Sequence, residues 1–249
     1  MELKKIKIGV LMGGWSAERE ISLKTGQNIA NTLKEAGYDV IAIDIGKSLK
    51  DGKYIPEKLL KHKIKIAFIA LHGPYGEDGV IQGMLELLGI SYTGSGVLAS
   101  ALAMDKILSK QIFKTNEILT PDFQIAKKKE NFKLSLGLPI VVKPNAQGSA
   151  IGVNIVRKKS DLSLALNTAF KYGNSAIVEK YIEGLELSVP ILHDPTQTSF
   201  GYPEWVPRAL PVIEIIPKDE FYTYNAKYLP GASLHIIPAR ISKLLYKKV

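Results

Sequence analysis

The stretch IKIGVLMGGWSAEREISLKTGQNIANTLKEAGYDVIAID, residues 6–44, decides the fold. Residues 6–12 alternate and then run apolar, the pattern of a buried strand, and Gly13-Gly14 ends it. Residues 22–36 carry Ile29, Leu33 and Ala36 along one helical face. Ser22 is placed to cap the start, and Gly37 sits just past the end. Val40–Asp44 is a second strand. Strand, helix and strand in that order make a crossover unit, so both strands lie parallel in one sheet with the helix packed on it.

Working outward, the same alternation continues. Residues 57–62 read as a short helix after Pro56, residues 64–71 as a third buried strand, and residues 80–88 as a helix closed by Gly89. Near Gly94 the pattern changes. Residues 97–113 read as one helix, with Leu98, Ala101, Leu102, Asp105, Leu108 and Ile112 at spacings of three and four. Beyond Pro121, residues 123–126 and 139–143 look like strands, and the loop 145–152 returns into a strand at 153–156. Ser160 is placed to cap a helix reaching Phe170, and residues 176–180 and 187–192 are further strands. A polar, proline-bearing excursion fills 193–208, a strand follows at 212–216, and Ser242 opens a short helix over 243–249. The expected fold class is α/β: an N-terminal parallel α/β domain over 1–93, then a pair of α+β domains over 94–181 and 182–249, the last one incomplete.

Composition narrows the function. With 46% hydrophobic residues among 249, the chain can bury a sizeable core, and 23% charged residues argue against disorder. No apolar run is long enough to span a bilayer, and the N-terminus leads straight into a strand without an apolar signal region. The absence of cysteine rules out disulfides and thiolate metal sites. The reading is a soluble, cytoplasmic protein without a membrane partner. A net charge of +9 is compatible with nucleic acid. The lysines are scattered, however, and no recognition helix or aromatic RNA-binding pattern is present, so no nucleic-acid partner is expected.

Several motifs could carry chemistry. Gly94-Ser95-Gly96-Val97-Leu98-Ala99 fits the loose dinucleotide pattern and opens a helix, but no acidic residue closes a second strand about 20 residues on. A Walker loop, a nucleophile elbow and paired zinc-ligand histidines are all missing. Lys106, Lys143 and Lys227 remain, with Gly148-Ser149-Ala150-Ile151-Gly152, a turn whose amides could wrap a phosphate. Triphosphate calls for several separated cations, although each lysine taken singly reads more readily as a solvated surface charge. Glu18 follows the first strand at the carboxyl edge of a parallel sheet, where ligands bind. It could grip an ammonium group, or it could simply stabilise a helix N-terminus. His72 and Glu77-Asp78-Gly79 follow the third strand at the same edge, and His72 reads as either a packing or a functional group.

Taken in order, six segments resemble the D-alanine–D-alanine ligases of the ATP-grasp group: GGWSAEREISL (13–23), ALHGPYGEDGVIQGMLELLGISYTGSG (70–96), LASALAMDK (98–106), PIVVKPNAQGSAIGV (139–153), VEKYIEGLELSV (178–189) and PVIEIIPKDEFYTYNAKYLPGASLHIIPAR (211–240). The resemblance implies an ATP-dependent ligase for peptidoglycan precursors that joins two D-alanines through an acyl phosphate. It implies that Glu18 binds the amine of the first D-alanine, that Ser149 and Tyr228 bond with Glu18, and that His72 lies near that substrate. Lys106, Lys143 and Lys227 would contact phosphates, Glu179, Tyr181 and Ile182 the adenine, and Glu186 the ribose. Homodimerisation through the N-terminal domain is also implied.

Two departures stand out. The family's phosphate loop reads Arg-Glu-Gly-Ser-Ser, whereas here it is Ala146-Gln147-Gly148-Ser149-Ala150. The family also continues past the position of Val249 with the ligands for Mg2+, so the chain is expected to be C-terminally truncated and inactive as it stands. A ligase making D-alanyl-D-lactate or D-alanyl-D-serine, and a non-catalytic nucleotide-binding remnant, are the alternative readings.

Overall fold

Strand β1 (Ile8–Met12) is buried at every position, because it is central in its sheet and covered on both faces. Leu11 faces one apolar cluster with Ile43, Leu59 and Leu85, while Val10 and Met12 face another with Ala30 and Ala70. Burial on two faces explains why the strand reads as a continuous apolar run. The computed structural model describes residues 3–194, 198–199, 202–203, 206–218 and 222–249. It divides into two compact units, Met1–Tyr181 and Ile182–Val249.

In the first unit, β1, β2 (Val40–Asp44), β3 (Ile66–Ile69) and β4 (Ser91–Tyr92) form a parallel sheet in the order β2-β1-β3-β4. Helix α1 (Arg19–Glu35) returns from β1 to β2, and α2 (Ile55–Lys61) and α3 (Val80–Leu87) make the later crossovers. Helix α1 begins three residues before the expected start at Ser22. Ser22 is therefore no cap. It is buried inside the helix, where its hydroxyl accepts from the Gly13 amide at 2.9 Å and donates to the Ala70 carbonyl at 2.7 Å. Gly26 lets the helix approach the sheet, since a Cβ there would meet Met12 Cβ at 2.5 Å.

The expected single helix over 97–113 is two helices, α4 (Val97–Met104) and α5 (Lys106–Thr115). Asp105 separates them in an extended conformation, with ψ at 102°. One of its oxygens accepts from the Leu108 amide at 2.9 Å and caps α5, and the other accepts from Asn145 Nδ2 at 2.8 Å. Strands β5 (Phe123–Lys127), β6 (Ile140–Pro144), β7 (Asn154–Val156) and β8 (Ser175–Lys180) form an antiparallel sheet ordered β5-β8-β6-β7. Helix α6 (Leu162–Ala169) packs on it through Ala165 and Ala169. Ser160 does not cap α6: a short 3-10 turn, Lys159–Asp161, precedes the helix, and the Ser160 hydroxyl donates to Asp161 at 2.9 Å.

In the second unit the expected strand 187–192 is divided, with Pro190 between the halves and no amide there to continue a ladder. Strand β9 (Glu186–Ser188) joins β14 (Ile213–Pro217) and β15 (Ser233–Ile236), whereas β10 (Ile191–Asp194) pairs with β13 (Val206–Ala209). Between them β11 (Thr198–Ser199) pairs with β12 (Tyr202–Pro203); residues 195–197, 200–201 and 204–205 of the expected excursion lie outside the described residues. Helix α7 (Tyr224–Tyr228) precedes β15, and Ser242 caps the closing helix α8 (Lys243–Lys248) by accepting from the Leu245 amide at 3.2 Å. Among the described residues no helix is long and apolar enough to cross a membrane.

Candidate functional site

Glu18 stands at the carboxyl end of β1, between Gly14 and α1, and is only 1% exposed. A buried carboxylate needs donors or a counter-ion. Its amide donates to Ser16 Oγ at 3.1 Å, and that hydroxyl donates to the His72 carbonyl at 2.7 Å. The turn after β3 is thereby tied to the turn after β1. Ser149 Oγ donates a short hydrogen bond to Glu18 Oε1, closing the phosphate-loop candidate onto the same carboxylate. Ser149 and Ala150 sit in the left-handed region, at φ 50° and 56°, which gives the loop the tight bend that brings Ser149 there. Glu18 Oε2 has no hydrogen-bond partner among the described residues.

A second carboxylate converges on this point. Glu77 Oε2 accepts from the Gly73 amide at 2.8 Å, and Glu77 Oε1 lies 3.9 Å from His72 Nδ1. A Cβ on Gly148 would stand 3.4 Å from Glu18 Oε2 and 3.6 Å from Glu77 Oε2, so both acids face the same small space. Burial pushes the Glu77 carboxyl above its ordinary value; the Gly73 amide opposes this and the Glu18 charge adds to it. Gln82 Nε2 holds the turn by donating to the Gly76 carbonyl at 3.0 Å. A cavity of about 460 Å³ opens alongside, lined among others by Thr25, His72, Glu77, Gln82 and Ser95. A buried carboxylate with a second, part-exposed one beside it suits a small cationic group such as an ammonium.

The expected phosphate cations lie on the elements that follow. Lys106 Nζ donates to the carbonyls of Asn145 and Gln147, at 3.2 and 2.6 Å, and so braces the loop ahead of Ser149. Lys143, on β6, pairs with Glu179 on β8 at 2.5 Å. Glu179 Oε2 also pairs with Lys110 at 2.9 Å. The Tyr181 amide donates to the Pro139 carbonyl at 3.1 Å, and the Tyr181 ring lies 5.6 Å from the Arg157 guanidinium.

The remaining expected residues belong to the second unit. Ile182 is exposed, and Glu186 is exposed at the start of β9. Lys227 lies over the Tyr222 ring at 5.1 Å, and Tyr228 packs edge-on against Tyr224, with 5.0 Å between ring centroids. The structure thus brings Glu18, Ser149 and His72 together in one unit, and Lys143 with Glu179 in the same unit. Sequence reasoning left Lys110 out of the site and put Glu77 at the sheet edge of His72 without giving it a role. The available signal for Lys110 was its spacing of four from Lys106, which puts both on one face of α5. For Glu77 it was the sheet edge shared with His72.

Comparison with known proteins agrees across the chain. The family model for the D-ala D-ala ligase N-terminus matches residues 7–59 and 48–95, and that for the D-ala D-ala ligase C-terminus matches residues 111–249. A D-alanine–D-alanine ligase of Geotalea uraniireducens is 47% identical over 251 residues, covering 100% of this chain and 75% of the relative. One from Citrifermentans bemidjiense is 47% identical over 248 residues with the same coverage. Among solved structures, a Bacillus anthracis D-alanine–D-alanine ligase superposes with a TM-score of 0.76 at 35% identity, over 97% of this chain and 74% of that one. Its complex with ATP gives 0.73 at 33% identity, over 95% and 72%.

Proposed function

Because this chain belongs to the D-alanine–D-alanine ligase family, with its mixed α/β, ATP-grasp type of fold, we propose that it serves the ATP-dependent joining of two D-alanines for peptidoglycan precursors in the cytoplasm. The observation that carries this reading is the Glu18 recess: a buried carboxylate bonded through one oxygen to Ser149, its other oxygen without a hydrogen-bond partner among the described residues, and facing Glu77 across Gly148. That recess suits the ammonium group of an amino acid, and it lies at the end of a loop flanked by lysines. Taken as domains, 1–93 would carry the first substrate, and 94–181 with 182–249 the nucleotide.

In the proposed reaction a carboxylate oxygen of the first D-alanine attacks the γ-phosphorus of ATP. The bond to the bridging oxygen breaks, and ADP leaves. The amine of the second D-alanine then attacks the acyl-phosphate carbonyl, the carbon–oxygen bond to phosphate breaks, and the amine gives up a proton. Glu18 would hold the first ammonium, with His72 near it and Tyr228 joining Ser149 on Glu18. Lys106, Lys143 and Lys227 would contact phosphates, Glu179, Tyr181 and Ile182 the adenine, and Glu186 the ribose. Positioning and charge stabilisation supply most of the rate.

Magnesium would neutralise developing phosphate charge. Among the described residues no three His, Asp or Glu side chains gather where they could hold a metal ion, so these residues do not make up a metal site. The chain spans about 75% of the length of the curated relatives it matches.

The test is phosphate release from ATP with D-alanine, comparing residues 1–249 with a form extended by the family's C-terminal segment. Turnover by the extended form, dependent on D-alanine and not replaced by D-lactate or D-serine, is the expected result. Turnover with D-lactate or D-serine instead would move the second substrate. Failure of both forms to respond to D-alanine would overturn the reading.

A further inference from the structure

Lys110 is buried in α5, and its side chain is only 7% exposed. Its ammonium lies 2.9 Å from Glu179 Oε2, donates to Thr120 Oγ1 at 2.5 Å, and stands 5.1 Å from the Phe123 ring centre. Phe123 and Glu179 are paired residues of β5 and β8, so two of the three contacts tie the ammonium to the sheet, and Thr120, just ahead of β5, supplies the third. Glu179 is equally covered, with a side chain 9% exposed, while Lys143, on its other oxygen, is 25% exposed. Taking two ammonium groups and one carboxylate out of water is costly, and apolar side chains of the same size would commonly be as stable. The cluster therefore calls for a reason beyond stability. The asymmetry of its two cations supplies one. Lys110 is locked, whereas Lys143, the more exposed partner and an expected phosphate contact, is the one a triphosphate can draw away.

We propose that Lys110 is a positioning residue that sets the base preference of the nucleotide site. It keeps Glu179 Oε2 occupied and the carboxylate oriented, so that Oε1 alone exchanges Lys143 for a hydrogen-bond donor on the base. The proposal rests on the ATP reading above. A carboxylate only accepts. Held in this way, it fits a purine with an amino group at position 6 and opposes one with a carbonyl oxygen there. With Lys110 removed, Lys143 becomes the only counter-charge of a buried carboxylate. It is then retained by Glu179 when a nucleotide binds, and Oε1 is not released to the base.

The experiment measures dissociation constants by calorimetry on residues 1–249 for ATP, for ITP (the same nucleotide with oxygen at position 6) and for inorganic tripolyphosphate. The parent chain is expected to prefer ATP over ITP by about tenfold or more. In Lys110→Met that ratio is expected to fall to about twofold or less: tripolyphosphate and ITP, which lose only the Lys143 contact, weaken by a similar factor, and ATP, which also loses the Glu179 contact to its base, weakens by more. Lys110→Arg, which can still hold the carboxylate, restores most of the ratio. In a Glu179→Gln background, adding Lys110→Met leaves the ratio where it was, because the lysine acts through that carboxylate. Should Lys110→Met fail to fold, the comparison of Glu179→Gln with the double variant decides, since the double variant loses charge and counter-charge together. An equal fall for all three ligands, a ratio that survives Lys110→Met, or a further drop in the Glu179→Gln background overturns the proposal alone. A parent chain that binds no ATP overturns the nucleotide reading and this proposal with it.

Discussion

Gly148 faces the oxygens of Glu18 and Glu77, which would stand in ordinary van der Waals contact, 3.4 and 3.6 Å, with a Cβ placed there. A methyl group there would fill the space proposed for the first substrate's ammonium. Gly148→Ala in the extended enzyme is expected to raise the KM for D-alanine by about tenfold or more, with the KM for ATP much less affected. Steady-state kinetics check this, and equal changes in both constants would argue for a general disturbance of the loop. At this scale the sequence was legible where a residue sits in a motif: Glu18 after the first strand, and Ser149 in its glycine turn. Lys110 was not legible, because a lysine reads as solvated until burial is known, and its partners Thr120, Phe123 and Glu179 come together only through the sheet.

The elements show the same division. The succession of β1, β2 and β3 with their helices could be read from apolar patterning, because residues of these strands pack against clusters on both faces; the two-residue edge strand β4, exposed at Ser91, could not. Nor could the break at Asp105. The apolar spacing from Leu98 to Ile112 runs straight through it, and what interrupts the helix is a carboxylate shared between the Leu108 amide and Asn145, forty residues away. Asp105→Ala is expected to lower stability by about 1 kcal/mol through the lost cap, and by more through the freed Asn145 amide. Asp105→Asn should retain the cap but not the second bond, because its amide nitrogen would face Asn145 Nδ2, whose Oδ1 is already held by the Ile107 amide. Thermal melts of the two variants check the prediction, and equal losses would show that the cap contributes nothing specific. Ser22 was misread for a related reason: its type suits a helix start, and only the tertiary partners Gly13 and Ala70 explain it inside the helix.

Across the whole molecule, each unit has its own carboxylate–guanidinium pair, Asp44 with Arg19 in the first and Glu214 with Arg240 in the second. The second contains Glu214, whose carboxyl is held down to about 2 by the Arg240 side chain and, next, by the Arg240 amide. Since the folded value lies below the ordinary 4.5, the stabilisation is fully present above pH 4.5 and is lost as the pH falls toward 2. On acidification through that window, residues 182–249 are expected to loosen before residues 1–181, as hydrogen exchange would report. Simultaneous loosening of both would count against a dominant role for this pair. The second unit was also the less legible, because Pro190 divides a run of residues that reads as one strand. The first unit owes its seam to Ser22, one hydroxyl shared by positions 13, 22 and 70. In the currency of sequence drift, that atom narrows the alphabet at its position: alanine would strand a buried donor and a buried acceptor at once, while a larger side chain has no room. Descendants of this chain can leave serine there only by altering its neighbours in the same step, so the position should change late, and never alone.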